Sequence, residues 1–311
     1  MQNNKRYYDL NSYLKERFRC KVYKITVDAG LTCPNRDGTI SKGGCIYCLS
    51  RGPRPQSINP PIPIKEQIIK GKEFLSKTRR ARKFIVYFQP YSNTYAPLEK
   101  LKKIYDEAFM FKDIVGISIG TRPDCVSDEI LDLLEEYAKT YTVWVEYGLQ
   151  SIHENTLKKI NRGHGLKEFT DAVNKTRVRN IHICTHVIIG LPQEGREEVI
   201  ETAKFLADLK IDGVKIHLLF VVDGTVLGNM YNEGKIKILR MEEAVSLICD
   251  FLEHLHPSTV IHRLTGDPPR DKLIAPLWSL NKLKVINAVN KELKKRDSYQ
   301  GIKLKPNFAA L

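Results

Sequence analysis

Short apolar runs alternate with helical patterns along almost the whole chain, and this alternation constrains the fold more than any other feature. The runs are Lys21–Val27, Lys83–Gln89, Asp113–Thr121, Tyr141–Leu149, Ile181–Gly190, Asp212–Phe220 and Ser258–Leu264. Amphipathic stretches such as Ser127–Thr140 and Arg196–Lys210 lie between them. In Ser127–Thr140, Ser127 is placed to cap a helix, and Asp128 and Glu129 suit the positive end of its dipole. Ile130, Leu133, Leu134 and Tyr137 then share one face. Strands that are apolar on both faces and separated by helices form parallel sheets with both faces covered. Six or seven such units predict an α/β fold, a partial parallel (β/α)6-type barrel. The expected division is a core barrel with an N-terminal helix over residues 1–265 and a short basic extension over 266–311, packed on or beside the barrel.

Chemistry in parallel α/β folds gathers where strands end. The first strand is followed by "TCPNRDGTISKGGCIYCLS", Thr32–Ser50, which holds three of the seven cysteines: Cys33, Cys45 and Cys48. Their spacing is C-x11-C-x2-C, with Gly43 and Gly44 allowing unusual backbone angles before the closing pair. Three thiolates on one loop make a soft metal site. Zinc would need a fourth ligand from elsewhere. A [4Fe–4S] cluster held by three cysteines would keep one iron open to a small molecule. Burial of three purely structural thiols is the bland reading, and a loop rich in Gly and Asn does not favour it. An odd cysteine count scattered over 311 residues points to a reducing compartment rather than a disulfide framework. With no signal-peptide pattern and no apolar run near the length of a membrane span, the expected location is the cytoplasm, away from membranes.

The pair "CIYC", with Tyr47 before the last cysteine, resembles the radical S-adenosylmethionine (SAM) enzymes. Their usual spacing is C-x3-C-x2-C, and the longer loop here resembles the branch of the elongator catalytic subunit. Later strand ends agree. "QPYSNTYAP" (Gln89–Pro97) stands where the family holds the methionine amino group, with Ser92-Asn93-Thr94 in place of a Gly-Gly-Glu-like motif. "TRPD" after the third strand is similar to the same branch, with Gly120 where that branch often has Glu, and Arg122 as a possible loop anchor. "EYGLQSIHENTLKKINRGH" (Glu146–His164) resembles the "GxQS…RGH" segment, with Gln150 and Arg162 twelve residues apart. "THVIIGLPQE" (Thr185–Glu194) matches the adenine-side motif. The motifs "QPYSNTYAP" and "HRLTGDPPRDKLIAPLWSLNK" further resemble the YtqA/YhcC subgroup.

The resemblance implies the partial barrel of radical SAM enzymes, a [4Fe–4S] cluster on Cys33, Cys45 and Cys48, and SAM as the second cofactor. It implies SAM contacts at Tyr47, Asn93, Thr94, Glu146, Gln150, Arg162, His186 and Ile188. Gln150 would bond a ribose, Arg162 would pair with the methionine carboxylate, and His186 would contact the ribose or be a satisfied core histidine. Cys184 and Cys125, near barrel strands, are candidate hydrogen-atom donors, against the plainer role of small core residues. The subgroup implies as substrate the carboxymethylaminomethyl side chain of the tRNA wobble uridine, with a reducing electron-donor protein and a downstream methyltransferase as partners.

Charge agrees with a polyanion. The net charge is +14, and basic residues cluster in Ser76–Phe84 and from Lys282 to Leu311. Phosphate contacts are expected from "TRRARK" and from Lys282 to Lys305, with Trp278 as a stacking candidate or a core residue of a helix face. Two other functions stay open: a radical SAM enzyme acting on a small metabolite or peptide, and a zinc-stabilised RNA-binding module without turnover.

Overall fold

The structure is a computed structural model, and it describes residues 5–49 and 62–304. Ser50, at the end of the cysteine loop, and the tail from Lys305 lie outside the described residues. In chain order the elements are α1 (Leu10–Phe18), β1 (Val22–Val27), α2 (Pro34–Asp37), α3 (Ile64–Arg79), β2 (Lys83–Phe88), α4 (Leu98–Ala108), β3 (Ile114–Thr121) and α5 (Asp128–Ala138). Next come β4 (Thr142–Gln150), α6 (Glu154–Lys159), α7 (Leu166–Arg177), β5 (His182–Ile189), α8 (Arg196–Asp208), β6 (Gly213–Leu218) and β7 (Val221–Val222). The chain continues through α9 (Val226–Asn232), α10 (Met241–Glu253), β8 (Val260–Arg263), β9 (Leu273–Ala275) and α11 (Lys282–Lys295).

The fold is the parallel α/β sheet of the radical SAM partial-barrel type, with seven strands in the order β1-β2-β3-β4-β5-β6-β8. All seven expected strands form, each within a few residues of the bounds read from the sequence. Strands β2 and β4 are buried along nearly their whole length, which is why they read as unbroken apolar runs. The short antiparallel pair β7–β9 was not anticipated, because two- and three-residue strands carry no periodic signal.

The chain divides into two compact units: residues 11–149 with 160–185, and residues 1–10 with 150–159 and 186–311. In the first, the edge strand β1 is covered by α3, and a side chain at Gly71 would come within 2.4 Å of Ile25. Helix α5 is capped by Ser127, whose Oγ accepts from the Ile130 amide, as expected. Its buried face is Ile130, Leu131, Leu134 and Ala138, with Leu133 and Tyr137 at the rim, a rotation of the face expected from sequence. The core of this unit is largely aliphatic, with an aromatic cluster at its rim: Trp144 stacks on His182 at 4.7 Å, and Tyr13 meets Trp144 edge-on at 5.7 Å.

In the second unit, the edge of β8 is covered by the N-terminal segment. Ile261 donates its amide to the Tyr8 carbonyl (2.7 Å), and the Gln300 side chain donates to the Thr259 carbonyl (2.8 Å). These bonds occupy edge groups that would otherwise be open to another chain. Helix α10 packs against both α8 and α11. Among the described residues, no helix is long and apolar enough to cross a membrane.

Candidate active site

The cysteine loop leaves the carboxyl end of β1 and is built around Asn35. Cys33 starts the one-turn helix α2, which ends at Gly38 in the left-handed region (φ 100°). Asn35 is almost wholly buried. Its Nδ2 donates to the Asn161 carbonyl (2.7 Å) and lies 3.7 Å from Cys45 Sγ, while its Oδ1 accepts from Ser41 Oγ (2.9 Å). Asn161 reciprocates, its Nδ2 donating to the Gly44 carbonyl (2.9 Å), and the Ile46 amide donates to the Ile160 carbonyl (3.0 Å). Gly163 lies against the same asparagine, and a side chain there would come within 2.5 Å of Asn35 Oδ1. The "INRG" segment is therefore a clamp on the loop, fastened by hydrogen bonds at three successive residues of the loop, Gly44, Cys45 and Ile46. From the other side, the Ser92 amide donates to the Thr32 carbonyl (3.1 Å), and Thr39 Oγ1 meets the Tyr95 hydroxyl (2.9 Å).

Arg162 completes the clamp. It is buried, its Nη1 lies 3.5 Å from Cys45 Sγ, and its Nε and Nη2 both donate to the Gly148 carbonyl (3.2 and 2.7 Å). The guanidinium fork expected to face a carboxylate thus grips a backbone carbonyl, and its remaining edge faces sulfur. Cys45 and Cys48 are hydrogen-bonded to each other. That bond, and then the Arg162 charge, hold the Cys45 thiol well below its ordinary range against the cost of burial. The same bond, with burial, pushes Cys48 well above it. Tyr47 is directed toward Cys45, and burial raises its phenol well above its ordinary value. Beside Arg162, burial and the Arg162 and Arg122 guanidiniums push His164 down to about 2, so this imidazole is neutral.

The turns after β2 and β3 are locked into one another. Asn93 Nδ2 donates to the carbonyls of Phe88, Pro90 and Gly120 (3.1, 2.9 and 2.9 Å). Its Oδ1 is buried and accepts nothing among the described residues. Thr94 Oγ1 bonds Thr121 Oγ1 and the Cys125 carbonyl, both at 2.6 Å. Arg122 is an anchor: it pairs with Asp124 through two bonds (2.8 and 2.7 Å) and donates to the Arg162 carbonyl (2.8 Å). Cys125 borders an open cleft of ≈ 550 Å³ with Thr94 and Asp124, and burial followed by the Asp124 charge pushes its thiol up to about 12.

On the strands of the same unit, Glu146 is completely buried. It accepts from Lys24 Nζ (2.6 Å) and from Ser118 Oγ, and Lys24 also donates to Ser118 (3.0 Å). The buried Cys184 on β5 lies within 4.8 Å of this carboxylate. Lys24 and Ser118 were missed from sequence. The signal available was a lysine and a serine interrupting otherwise apolar strands.

Gln150, His186, Ile188 and Trp278 lie in the second unit. Gln150 closes β4 with φ 74°, a left-handed conformation that is uncommon for a residue with a side chain. The next residue, Ser151, donates to Glu194 Oε1, which joins the "GLQS" and "GLPQE" motifs directly. His186 lies on β5 with its ring centroid 5.1 Å from that of His217, and Ile188 is buried two residues on. Trp278 is half-buried and lines a small, partly open cavity with Leu218, Leu219 and Leu239. Arg79, Arg80 and Arg82 precede β2, so "TRRARK" lies at the amino edge of its strand, opposite the turns that carry the cysteine loop.

A cysteine loop at the carboxyl end of the first strand of a parallel sheet, with a buried arginine on one sulfur, defines a class of enzyme. The "Radical SAM superfamily" profile matches residues 33–206 and the "Radical_SAM C-terminal domain" profile residues 211–295, and the chain belongs to the radical SAM superfamily. Within it the chain falls in the elongator-like branch. It is 43% identical to YtqA of Bacillus subtilis over 309 residues, covering 97% of this chain and 96% of that one. It is 36% identical to YhcC of Escherichia coli K12 over 272 residues, 86% of each chain. Among solved structures, the archaeal Elp3 of Methanocaldococcus infernus superposes with a TM-score of 0.67 at 20% identity, covering 90% of this chain and 64% of that one.

The superfamily binds a [4Fe–4S] cluster and SAM. The donor set fits both: three cysteines on one loop supply thiolates, Arg162 compensates their charge, and the Asn93 Oδ1 is a buried acceptor in need of a donor such as an ammonium group.

Proposed function

We propose that this chain is a tRNA-modifying enzyme that removes hydrogen from the carboxymethylaminomethyl side chain of the wobble uridine, working in the cytoplasm with a reducing protein as electron donor and a methyltransferase acting on its product. Cluster and SAM together supply a 5′-deoxyadenosyl radical that abstracts hydrogen from an unactivated C–H bond. In this reading Cys33, Cys45 and Cys48 ligate the cluster. Tyr47, Asn93, Thr94, Glu146, Gln150, Arg162, His186 and Ile188 hold SAM in place. Asn93 Oδ1 accepts from the methionine ammonium, and Arg162 keeps a positive charge beside the Cys45 sulfur. Cys125 and Cys184 are the candidate hydrogen-atom donors. A thiol held at about 12 stays protonated, which donation of hydrogen from Cys125 requires.

The observation that carries the reading is the clamped cysteine loop, with Arg162 on Cys45, in a chain of net charge +14. A radical-generating site explains the loop, and a polyanionic substrate explains the charge. The test is anaerobic turnover. Protein reconstituted with iron and sulfide is given dithionite and SAM, and 5′-deoxyadenosine is measured with and without bulk tRNA from cells lacking the modification. We expect 5′-deoxyadenosine to rise with tRNA and the wobble nucleoside to change mass. Product that ignores tRNA points to a small substrate. No product, with zinc retained in place of iron, defeats the radical reading.

A further inference from the structure

We infer that the exposed face of α11 is a track for the phosphate backbone of RNA; this rests on the tRNA reading above and names a surface for it. Helix α11 is two-sided. Val285, Val289 and Leu293 are buried on one face, and the helix packs on α10. Lys284, Lys291 and Lys295 recur at helical spacing on the other face, with Lys294 beside them, and all four are exposed. Lys284 and Lys295 are about 16 Å apart along the axis.

Charge on this face is not cancelled locally. The helix contains one acid, Glu292, and Arg296 holds it at 2.8 Å. Lys282 is taken up by Asp267 at 2.9 Å. None of the four exposed lysines makes an ion pair among the described residues. The track also has a direction. Asp267, which binds the first lysine of the helix, lies just past the carboxyl end of β8. Gln300, beyond the last turn, bonds the Thr259 carbonyl just before the amino end of that strand. The lysines therefore run from the edge where strands end, and where chemistry gathers in such folds, toward the opposite edge.

Exposed Tyr299, just past the helix, offers a ring for stacking of an unpaired base. Lipid would need the apolar face of the helix, and in α11 that face is already covered.

The test compares two charge-matched variants of the reconstituted enzyme. Lys284→Gln/Lys291→Gln/Lys295→Gln removes the track. Lys77→Gln/Arg79→Gln/Arg80→Gln removes equal charge from the amino edge of β2. Unfractionated tRNA is titrated across a salt series, and 5′-deoxyadenosine is measured with and without tRNA. We expect the track variant to bind tRNA about tenfold or more weakly and to lose about 2 units of salt slope. Its tRNA-free SAM cleavage should match the unmodified enzyme, and the β2-edge variant should bind nearly normally. Equal losses in both variants, or none in either, overturn the track while leaving the substrate reading intact. An unmodified enzyme that neither binds tRNA nor responds to it, yet sediments with phosphatidylglycerol vesicles, overturns both.

Discussion

Glu146 and Lys24 show how a buried charge is afforded on a strand. The carboxylate has no exposure, and it accepts from the Lys24 ammonium at 2.6 Å and from the Ser118 hydroxyl. Desolvating such a pair costs about as much as its attraction returns, so its net contribution is small, but removing one member strands the other. Glu146→Gln should therefore destabilise the apo-protein by about 3 kcal/mol, because it takes the carboxylate away from a largely buried ammonium. Lys24→Met/Glu146→Gln should recover most of that loss. Urea unfolding of the two single variants and the double variant closes the cycle. A coupling below about 0.5 kcal/mol would mean that the two charges do not depend on each other. The same residues mark a limit of sequence reading. Glu146 is conspicuous in an apolar strand, but its partner sits three strands away on β1, and the register Lys24↔Ile85, Ile85↔Gly116 and Gly116↔Thr142 sets Lys24 level with Thr142, so the pair forms four residues off the register, which no local sequence states.

At the level of elements, the cysteine loop and the "INRG" segment form one unit although more than a hundred residues separate them. Gly163 has φ 73° and lies against Asn35, so it meets both requirements that only glycine satisfies: a left-handed backbone and no side chain. Gly163→Ala should push Asn35 off the Asn161 carbonyl and loosen Cys45. The expected result is about a tenfold drop in retained iron after reconstitution and desalting, with far-ultraviolet circular dichroism unchanged. Iron retention equal to that of the unmodified protein would show that the clamp does not govern the loop. The strands and their order of use were legible because buried parallel strands leave continuous apolar runs. The three cysteines, Gln150 and Arg162 were legible as a spacing. The orientation of Arg162 toward Cys45 and the Gly148 carbonyl was not, because its local sequence says nothing about which long-range partner its fork will reach. Asn35 and Asn161 were passed over for the same reason, since an asparagine in a Gly-rich loop reads as a turn residue.

For the whole molecule, 50 basic residues against 36 acidic ones make acid the weak side of its stability curve, because every carboxylate protonated adds to self-repulsion. Within that trend, the buried Glu253 and the half-buried Glu194 of the second unit should act with opposite sign. Glu253 is enclosed beneath the segment 296–303 that follows α11. Burial raises its carboxyl, but Lys303, Ser298 and Arg296 together outweigh burial and hold it below the ordinary 4.5. The unfolded chain then binds the proton first as pH falls, so the stability Glu253 contributes is present above 4.5 and is lost as pH drops through its lower folded value. Glu194 is the reverse. Burial raises it above 4.5, more than the Ser151 bond lowers it, so its folded form favours the proton, and stability is lost as pH rises from 4.5 through the raised value. Thermal unfolding of the apo-protein between about pH 3 and pH 8 should resolve both effects. Glu253→Gln should lower the melting temperature at neutral pH and flatten the fall below 4.5. Glu194→Gln should raise the melting temperature at neutral pH and leave the acid limb unchanged. Parallel curves for Glu253→Gln and the unmodified protein would show that the segment 296–303 is held by packing alone. In that case the ion pairs of Arg296 with Asp250 (2.8 Å) and Glu253 (3.3 Å), and that of Lys303 with Glu253, would do no more than satisfy charges that burial of α10 created.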